Sequence, residues 1–509
     1  MVCHCLFKKG ILYLVCIFLL FNVGCKLNSI PDEEHKDSIT ILYHGDERIF
    51  LQDYSGMEAV YWIFQPLVKH SGDEKGEIVP VLAESWMHSD DYKTWTVKLR
   101  RDIFWHDGVQ MTANDVKFTI DLRTKESGIK EFDCEIIDDF TFILTASKPV
   151  SNLETWQVYY PKHLLQNLDP KDYYNWDFWK QPIGNGPYKF VRNMDKSMVE
   201  VEANPHYFSD KPKIKKAILK FSQGNPLQEL LSGSVDALTY VSRELLIKID
   251  DDARFKSYYS WGGGIHALIW NHNIPLFKEA KVRKALTLAT NRVELSKVLF
   301  YPDDIPITDV ISTRQQRNTN DLPTGLPYDP KKALELLKEC GWADTNNDGI
   351  LDRDGVDFEF ELTVNDQFKL MATYIQDNFR KIGITMEIVA IERSVIKQRF
   401  KSGANFESIL TLMHNRFDFT RLRDYFGENS KIGYQNKKMD SIFDLMKDTG
   451  DLIELDRLSK ELIPVFEMDM PLTFLLPMIS THVVKSNLMG LSNHYNPDPV
   501  WFLEKLWIE

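Results

Sequence analysis

The chain has 509 residues, 43% of them hydrophobic and 27% charged, a globular composition long enough for two or three cores at roughly 100–200 residues per domain. Disordered, collagen-like and polytopic membrane classes are excluded. With 61 Lys and Arg against 74 Asp and Glu, a formal charge of -13, the chain carries no electrostatic footprint for nucleic acid.

At the N-terminus Lys8 and Lys9 precede the unbroken apolar run Ile11 to Phe21, and Gly24-Cys25 follows at once. The run is shorter than the roughly 20 residues of a comfortable membrane span, so residues 1–24 read as an export signal. A small residue before Cys resembles a lipoprotein cleavage site, where Cys25 becomes the lipidated first residue. Asn22 stands where such sites favour Leu, and the alternatives are an ordinary signal peptide or an uncleaved anchor. Residues 25–37, polar and without apolar periodicity, read as a tether. Of six cysteines, Cys3, Cys5 and Cys16 fall in the signal. Cys134 and Cys340 are left with Cys25, too few to staple a body this large, and spacing does not say whether they pair.

Taken in chain order, Trp95, Val97 and Leu99 alternate with polar residues as in a half-buried strand. Thr112-Ala113-Asn114-Asp115 is a capping arrangement that opens a helix with Val116 and Ile120 on one face. Val282, Ala285, Leu286 and Ala289 have helical spacing, and Asp329-Pro330 starts a further helix stopped by Gly341. The strand pattern Phe358, Phe360, Leu362, Val364, a helix from Met371 to Ile382 stopped by Gly383, and a strand Ile384, Met386, Ile388 predict a βαβ unit with parallel strands.

These signals fall in a recognisable order. Val79-Pro80-Val81-Leu82-Ala83-Glu84-Ser85-Trp86, Lys93-Thr94-Trp95-Thr96, Trp105-His106-Asp107-Gly108 and Thr112-Ala113-Asn114-Asp115-Val116 come first. Pro161-Lys162-His163, Gly184-Asn185-Gly186-Pro187-Tyr188, Asn204-Pro205-His206-Tyr207-Phe208, Ser232-Gly233-Ser234-Val235-Asp236 and Val282-Arg283-Lys284-Ala285-Leu286 follow. The set resembles the family 5 extracellular solute-binding proteins, the oligopeptide, dipeptide and nickel receptors of ATP-binding-cassette importers.

The resemblance implies an α/β periplasmic-binding-protein fold with mixed sheets, two lobes and a hinged ligand cleft. Its divisions fall at 38–264 for lobe I, 265–479 for lobe II and 480–509 for the return to lobe I. The crossings are expected near Gly262 to Asn271 and Ile479 to Lys485. Gly262, Gly263 and Gly264 are the hinge candidates, an ordinary loop being the other reading. Tyr43, Trp261, Trp270 and Tyr434 are expected to line the cleft with aromatic faces. Peptide receptors of this kind carry Trp-x-x-Asp-Tyr-x-x-Asp-Pro, whose first Asp holds the ligand amine. The matching stretch here is Leu412-Met413-His414-Asn415-Arg416-Phe417-Asp418-Phe419. Met413, His414, Arg416 and Asp418 are therefore site candidates. Arg416 in place of the acid favours a carboxylate-bearing ligand, unless it pairs internally with Asp418. Arg283, opposite its helix's apolar stripe, is expected to meet solvent or the importer.

No HExxH, P-loop or G-x-S-x-G occurs, so an enzyme is not expected. Asp344, Asn346, Asp348 and Asp352 match the first half of a calcium loop, with Gly355 where the closing Glu belongs. Either a structural calcium or a solvated turn follows. His266, His272 and His414 are scattered candidates for metal capture. The expected function is a lipid-anchored receptor that captures peptides or a peptide-like solute for an importer's permease. The alternatives are a receptor for a metal chelate or sugar, and a membrane-tethered hydrolase.

Overall fold

A computed structural model describes residues 37–44, 60–70, 77–151, 153, 158–194, 197–222, 224–299, 325–414, 419–428, 430–491 and 503–509. Cys25, Arg416 and Asp418 lie outside the described residues. Strand β1 (Ser38–His44) alternates faces, so that Ile39 and Ile41 enter one core and Leu42 another. A four-stranded antiparallel sheet follows, built from β2 (Ala83–His88), β3 (Thr94–Leu99), β4 (Phe132–Asp138) and β5 (Thr141–Ala146) in the order β2-β3-β5-β4. Trp95, Val97 and Leu99 are buried as their alternation requires.

Helix α1 (Ala113–Ser127) begins at the predicted cap: Asp115 Oδ2 accepts from the Thr112 backbone N–H at 2.9 Å, and Thr112 Oγ1 accepts from the Asn114 N–H. The other Asp115 oxygen accepts from Lys162 N at 2.9 Å, which ties two of the motifs together. His106 joins a third: its Nδ1 accepts from Gly184 N–H at 3.2 Å, so Nε2 carries the proton and donates to Gly186 O at 3.1 Å. Burial holds its pKa down at about 4. Asn185 Oδ1 accepts from Gln65 N–H, and Asn204 Nδ2 donates to Gly186 O.

The chain then adds β6 (Tyr188–Met194), β7 (Met198–Ala203), β8 (Lys216–Ser222) and β9 (Ala237–Thr239). Asp236 fastens this region, accepting from Thr40 N–H at 2.7 Å and from Lys485 Nζ at 2.5 Å. Next come the 16-residue strand β10 (Phe255–Trp270), α2 (Ala280–Leu288), α3 (Pro330–Glu339), β11 (Glu359–Val364), α4 (Lys369–Arg380), β12 (Thr385–Ala390), β13 (Ser408–His414), α5 (Lys437–Lys447), α6 (Leu452–Asp469) and the 14-residue β14 (Leu472–Lys485). The βαβ reading holds: β11 and β12 are parallel with Phe360 opposite Met386, and Gly383 closes α4 with φ +77°.

One ten-stranded mixed sheet runs β12-β11-β13-β10-β14-β9-β1-β8-β7-β6. Its hydrophobic cores separate along it. Residues from Ile39 to Ile249, with Val483 to Leu506, form the cores at one end, and residues from Ile265 to Leu476 form those at the other. Among the described residues only β10 and β14 run through both halves of the sheet, and the fold is two-lobed and α/β. Cys134 in β4 and Cys340 at the end of α3 are free thiols in different lobes and do not pair.

One expectation is corrected here. Arg283 does not face solvent or an importer: it is buried at 3% exposure and donates to Phe277 O at 2.6 Å, Lys278 O at 2.8 Å, Met470 O at 2.9 Å and Asp469 O. It caps the carbonyl end of α6, where a cation offsets the helix dipole. At the turn that is the calcium candidate, the side chains bond backbone N–H groups of the turn itself. Asp344 accepts from Asp348 N–H and Gly349 N–H, Asn346 from Asp348 N–H, and Asp348 from Ile350 N–H. Asp352 is buried and turned to Thr345 N–H and Oγ1, both at 2.8 Å. Among the described residues no three His, Cys, Asp or Glu side chains converge as ion ligands would.

Candidate functional site

Strand direction locates the site. In the N-terminal half, β9 runs antiparallel to β14, with Ala237 opposite Val484 and Leu238 opposite Val483, so its carboxyl end points toward Ile479. Parallel pairing gives β1 and β8 the same direction. In the C-terminal half, β13 runs antiparallel to β10 from Ser408 opposite Trp270 to His414 opposite Gly264, and β11 and β12 are parallel to it. Two sets of three parallel strands, one from each lobe and running toward each other, therefore bring their carboxyl ends together where β10 and β14 cross between lobes. Open α/β sheets bind ligands at carboxyl ends of strands, where free backbone groups and loop side chains meet.

The crossing itself is irregular. Trp261 lies opposite Ile479 and Ile265 opposite Pro477, so four residues advance on β10 while two advance on β14. This bulge contains Gly262, Gly263 and Gly264, which lie inside a strand and not in a loop. A Cβ on Gly264 would lie 3.1 Å from Met413 O and 3.0 Å from Leu412 Cδ1, so close approach of β13 is what favours glycine at that position.

On the lobe I side, aromatic rings line up across adjacent strand ends. Tyr43 at the end of β1 stacks on Phe221 of β8 with centroids 5.0 Å apart and 27° between planes. On its other side it meets Tyr240, just past β9, at 5.1 Å. Tyr240 in turn meets His482 of β14 edge-on at 5.4 Å. Tyr43, Phe221 and Tyr240 are half-buried and His482 is fully buried. Tyr240 has φ +54°, the left-handed region that an aromatic residue occupies only when its surroundings hold it there. Neither ring nitrogen of His482 has a hydrogen-bond partner among the described residues, and burial holds its pKa down at about 3. It is a neutral ring at the end of an apolar ledge.

Of the residues expected to line the cleft, the structure brings Tyr43 into this row and sets the backbones of Trp261 and His414 at the crossing. Met413 has its backbone there too, opposite Ile265, whereas Trp270 and Tyr434 are elsewhere. Trp270 is fully buried between Phe277 and Phe360 with its Nε1 donating to Thr473 Oγ1. Helices cover both faces of the sheet here, so β10 beyond the crossing is core on either side and only its middle, at the crossing, can reach ligand. Met413 is buried in the other core, near the end of its strand. Tyr434 packs there too, with its hydroxyl donating to Asp469 Oδ2 at 2.8 Å. His266 and His272 do not gather for a metal. His266 Nδ1 bonds Leu476 O at 3.1 Å and His272 Nε2 bonds Pro471 O at 3.0 Å, so both join β10 and its exit to the start of β14. Sequence reasoning missed Phe221, Tyr240 and His482. The signal available was the position of each at or beside a strand end close to the motif Ser232 to Asp236 or the predicted return, which only the strand register aligns.

The family model described as "Bacterial extracellular solute-binding proteins, family 5 Middle" matches residues 77–420. Oligopeptide-binding protein AppA of Bacillus subtilis is 28% identical over 474 residues, covering 86% of this chain and 84% of its own. Two solved structures superpose over 93% of this chain and 99% of theirs. NikZ from Campylobacter jejuni with Ni(L-His) gives a TM-score of 0.73 at 26% identity, and B. subtilis AppA with a nonapeptide gives 0.71 at 25%. With the match spanning the motifs, the four-stranded sheet and the strand ends of both lobes, this chain belongs to the family 5 bacterial extracellular solute-binding proteins.

Proposed function

We propose that this protein is the solute-capturing component of an ATP-binding-cassette importer, taking a peptide or peptide-like solute between its lobes and handing it to the permease. The convergence of six strand ends on a two-strand crossing carries this reading, because two lobes joined that way can close over a ligand as a hinge. The row Phe221, Tyr43, Tyr240 offers an apolar ledge for a side chain of the solute. Binding proceeds without chemistry, and Gly262 to Gly264 with the facing Ile479 form the hinge. Cys25 carries the lipid that holds the exported protein to the membrane. Among the described residues no helix is long and apolar enough to cross one.

Thermal unfolding tests the capture with two probes, a mixed synthetic library of tri- to octapeptides and Ni(L-His). A bound solute raises the melting temperature by mass action. A shift with peptides and none with the chelate supports the main reading; the reverse supports the second, which the similarity to NikZ favours. Loss of acylation in Cys25→Ser tests the anchor, and a wild type without acyl group refutes it.

A further inference from the structure

Away from β10 and β14 the two lobes meet at a second place. Tyr92 caps the β2–β3 hairpin and belongs to the N-terminal core, and Gly450 lies in the short connection between α5 and α6, whose apolar faces belong to the C-terminal one. A Cβ placed on Gly450 would stand 2.3 Å from Tyr92 Cβ and 2.6 Å from its Cγ. Carbon atoms in contact need about 3.5–4.0 Å, so even a methyl group at 450 would force the loops apart by more than 1 Å.

Both sides are stiff. Tyr92 N–H donates to Ser89 O, its carbonyl accepts from Val150 N–H at 2.9 Å and Trp95 Nε1 at 3.3 Å, and its ring stacks on His88 at 4.1 Å. Its φ of +55° is in the left-handed region, so the backbone is held against its preference at the point of contact. Opposite, Asp451 caps α6 by accepting from Ile453 N–H and Glu454 N–H and donates its own N–H to Thr449 Oγ1. Neither loop has slack to absorb an added atom, and buried Gly450 has no side chain to move aside.

We propose that Tyr92 and Gly450 are the latch of the closed state, a tooth and a socket remote from both the crossing strands and the aromatic ledge, which set how far the lobes close and how long a solute is held. This rests on the receptor reading for its consequence, but the contact can be tested apart from it. In the full chain, Tyr92→Cys with Gly450→Cys brings two thiols together only if the loops meet. Under mild oxidation, peptide mapping should find the 92–450 cross-link well above that of a control pair, Met87→Cys with Gly450→Cys. No excess over the control overturns the latch.

The second arm measures dissociation of the peptide library and of Ni(L-His) from wild type, Gly450→Ala, Tyr92→Gly and the double variant. Tyr92→Gly removes the tooth and suits the positive φ. Gly450→Ala and Tyr92→Gly should each release solute about tenfold faster with melting temperatures within a few degrees of wild type, and the double variant should release it no faster than the faster single variant, because both substitutions remove one contact. Equal release from wild type and either single variant, or effects that multiply in the double variant, overturns the latch. If wild type holds neither probe, the receptor reading fails and the cross-link alone decides the latch.

Discussion

Arg283 carries a buried charge with no carboxylate bonded to it, satisfied by four backbone carbonyls at the end of α6 and the turn before α2. Burial lowers its pKa to about 10, so it stays charged at neutral pH. Hydrogen bonds to a charged group contribute about 1.5–3 kcal/mol each, and carbonyls left without a donor add a desolvation cost. Arg283→Met should therefore destabilise the protein by about 3 kcal/mol or more, and Arg283→Lys by less but clearly, since one ammonium cannot span the same fork of acceptors. Urea unfolding of the three proteins checks this; a change under about 1 kcal/mol for Met would remove the capping role. Arg416 is expected either to meet the solute or to pair with Asp418. If it meets a carboxylate in the closed site, Arg416→Ala should weaken binding by about 2 kcal/mol with unchanged melting of the free protein, the scale for truncating one member of a desolvated pair. Lower apo stability with unchanged affinity would instead assign it to Asp418.

Single elements explain why so much of the fold was legible and so little of the site. The capping box at Thr112 and the Asp329-Pro330 start obey local rules, and both helices begin where those rules place them. The motifs that carried the resemblance prove to be framework: Asp115, His106 and Asn204 bond the backbones of other motifs, and Asn185 and Asp236 bond those of Gln65 and Thr40. The candidate ligand contacts sit at strand ends, and which strands end together is a matter of register between segments some 200 residues apart, as with Tyr43 and Thr239. Trp270 looked like a site residue because its strand leads from the crossing; only the helices on both faces make it core. The two glycines Gly108 and Gly184 make the framework claim testable. A Cβ at Gly184 would lie 1.8 Å from Ile63 O, which is backbone and cannot yield. At Gly108 nothing lies within 4 Å, and only φ of +90° opposes a side chain. Gly184→Ala should cost several kcal/mol or abolish folding, and Gly108→Ala about 1 kcal/mol. Equal costs in chemical denaturation would contradict the packing described.

The whole molecule stores a pH dependence in its buried histidines. His106 and His272 are held at about 4 and His482 at about 3, in each case mainly by burial, against an ordinary 6.5. The folded state thus keeps them neutral while the unfolded chain takes up protons as pH falls through 6.5. Their contribution is whole above that value and is lost from there down to about 4 for the first two, with His482 reaching furthest. Each depressed group costs up to about 1.4 kcal/mol per pH unit within its window, so the step from pH 6.5 to 5 should remove about 2 kcal/mol for each that is uncoupled. Carboxylates held low by ion pairs, such as Glu200 between Arg192 and Lys216, lose their share only below the usual acid range. A flat stability between pH 7 and 5 would contradict the burial, and His106→Gln should lessen the slope. Closure over solute is the larger claim. It requires that strand ends from both lobes enclose one ligand, with the ledge of Tyr43 and Tyr240 against it. Native mass spectrometry of the protein purified from its own host, then loaded with the peptide library and with Ni(L-His), tests this most directly. The account predicts one solute per chain, released unaltered on denaturation and lost or much reduced in Tyr43→Ala with Tyr240→Ala. A folded wild type that carries and takes up no solute, or a double variant that holds it as tightly as wild type, would contradict it.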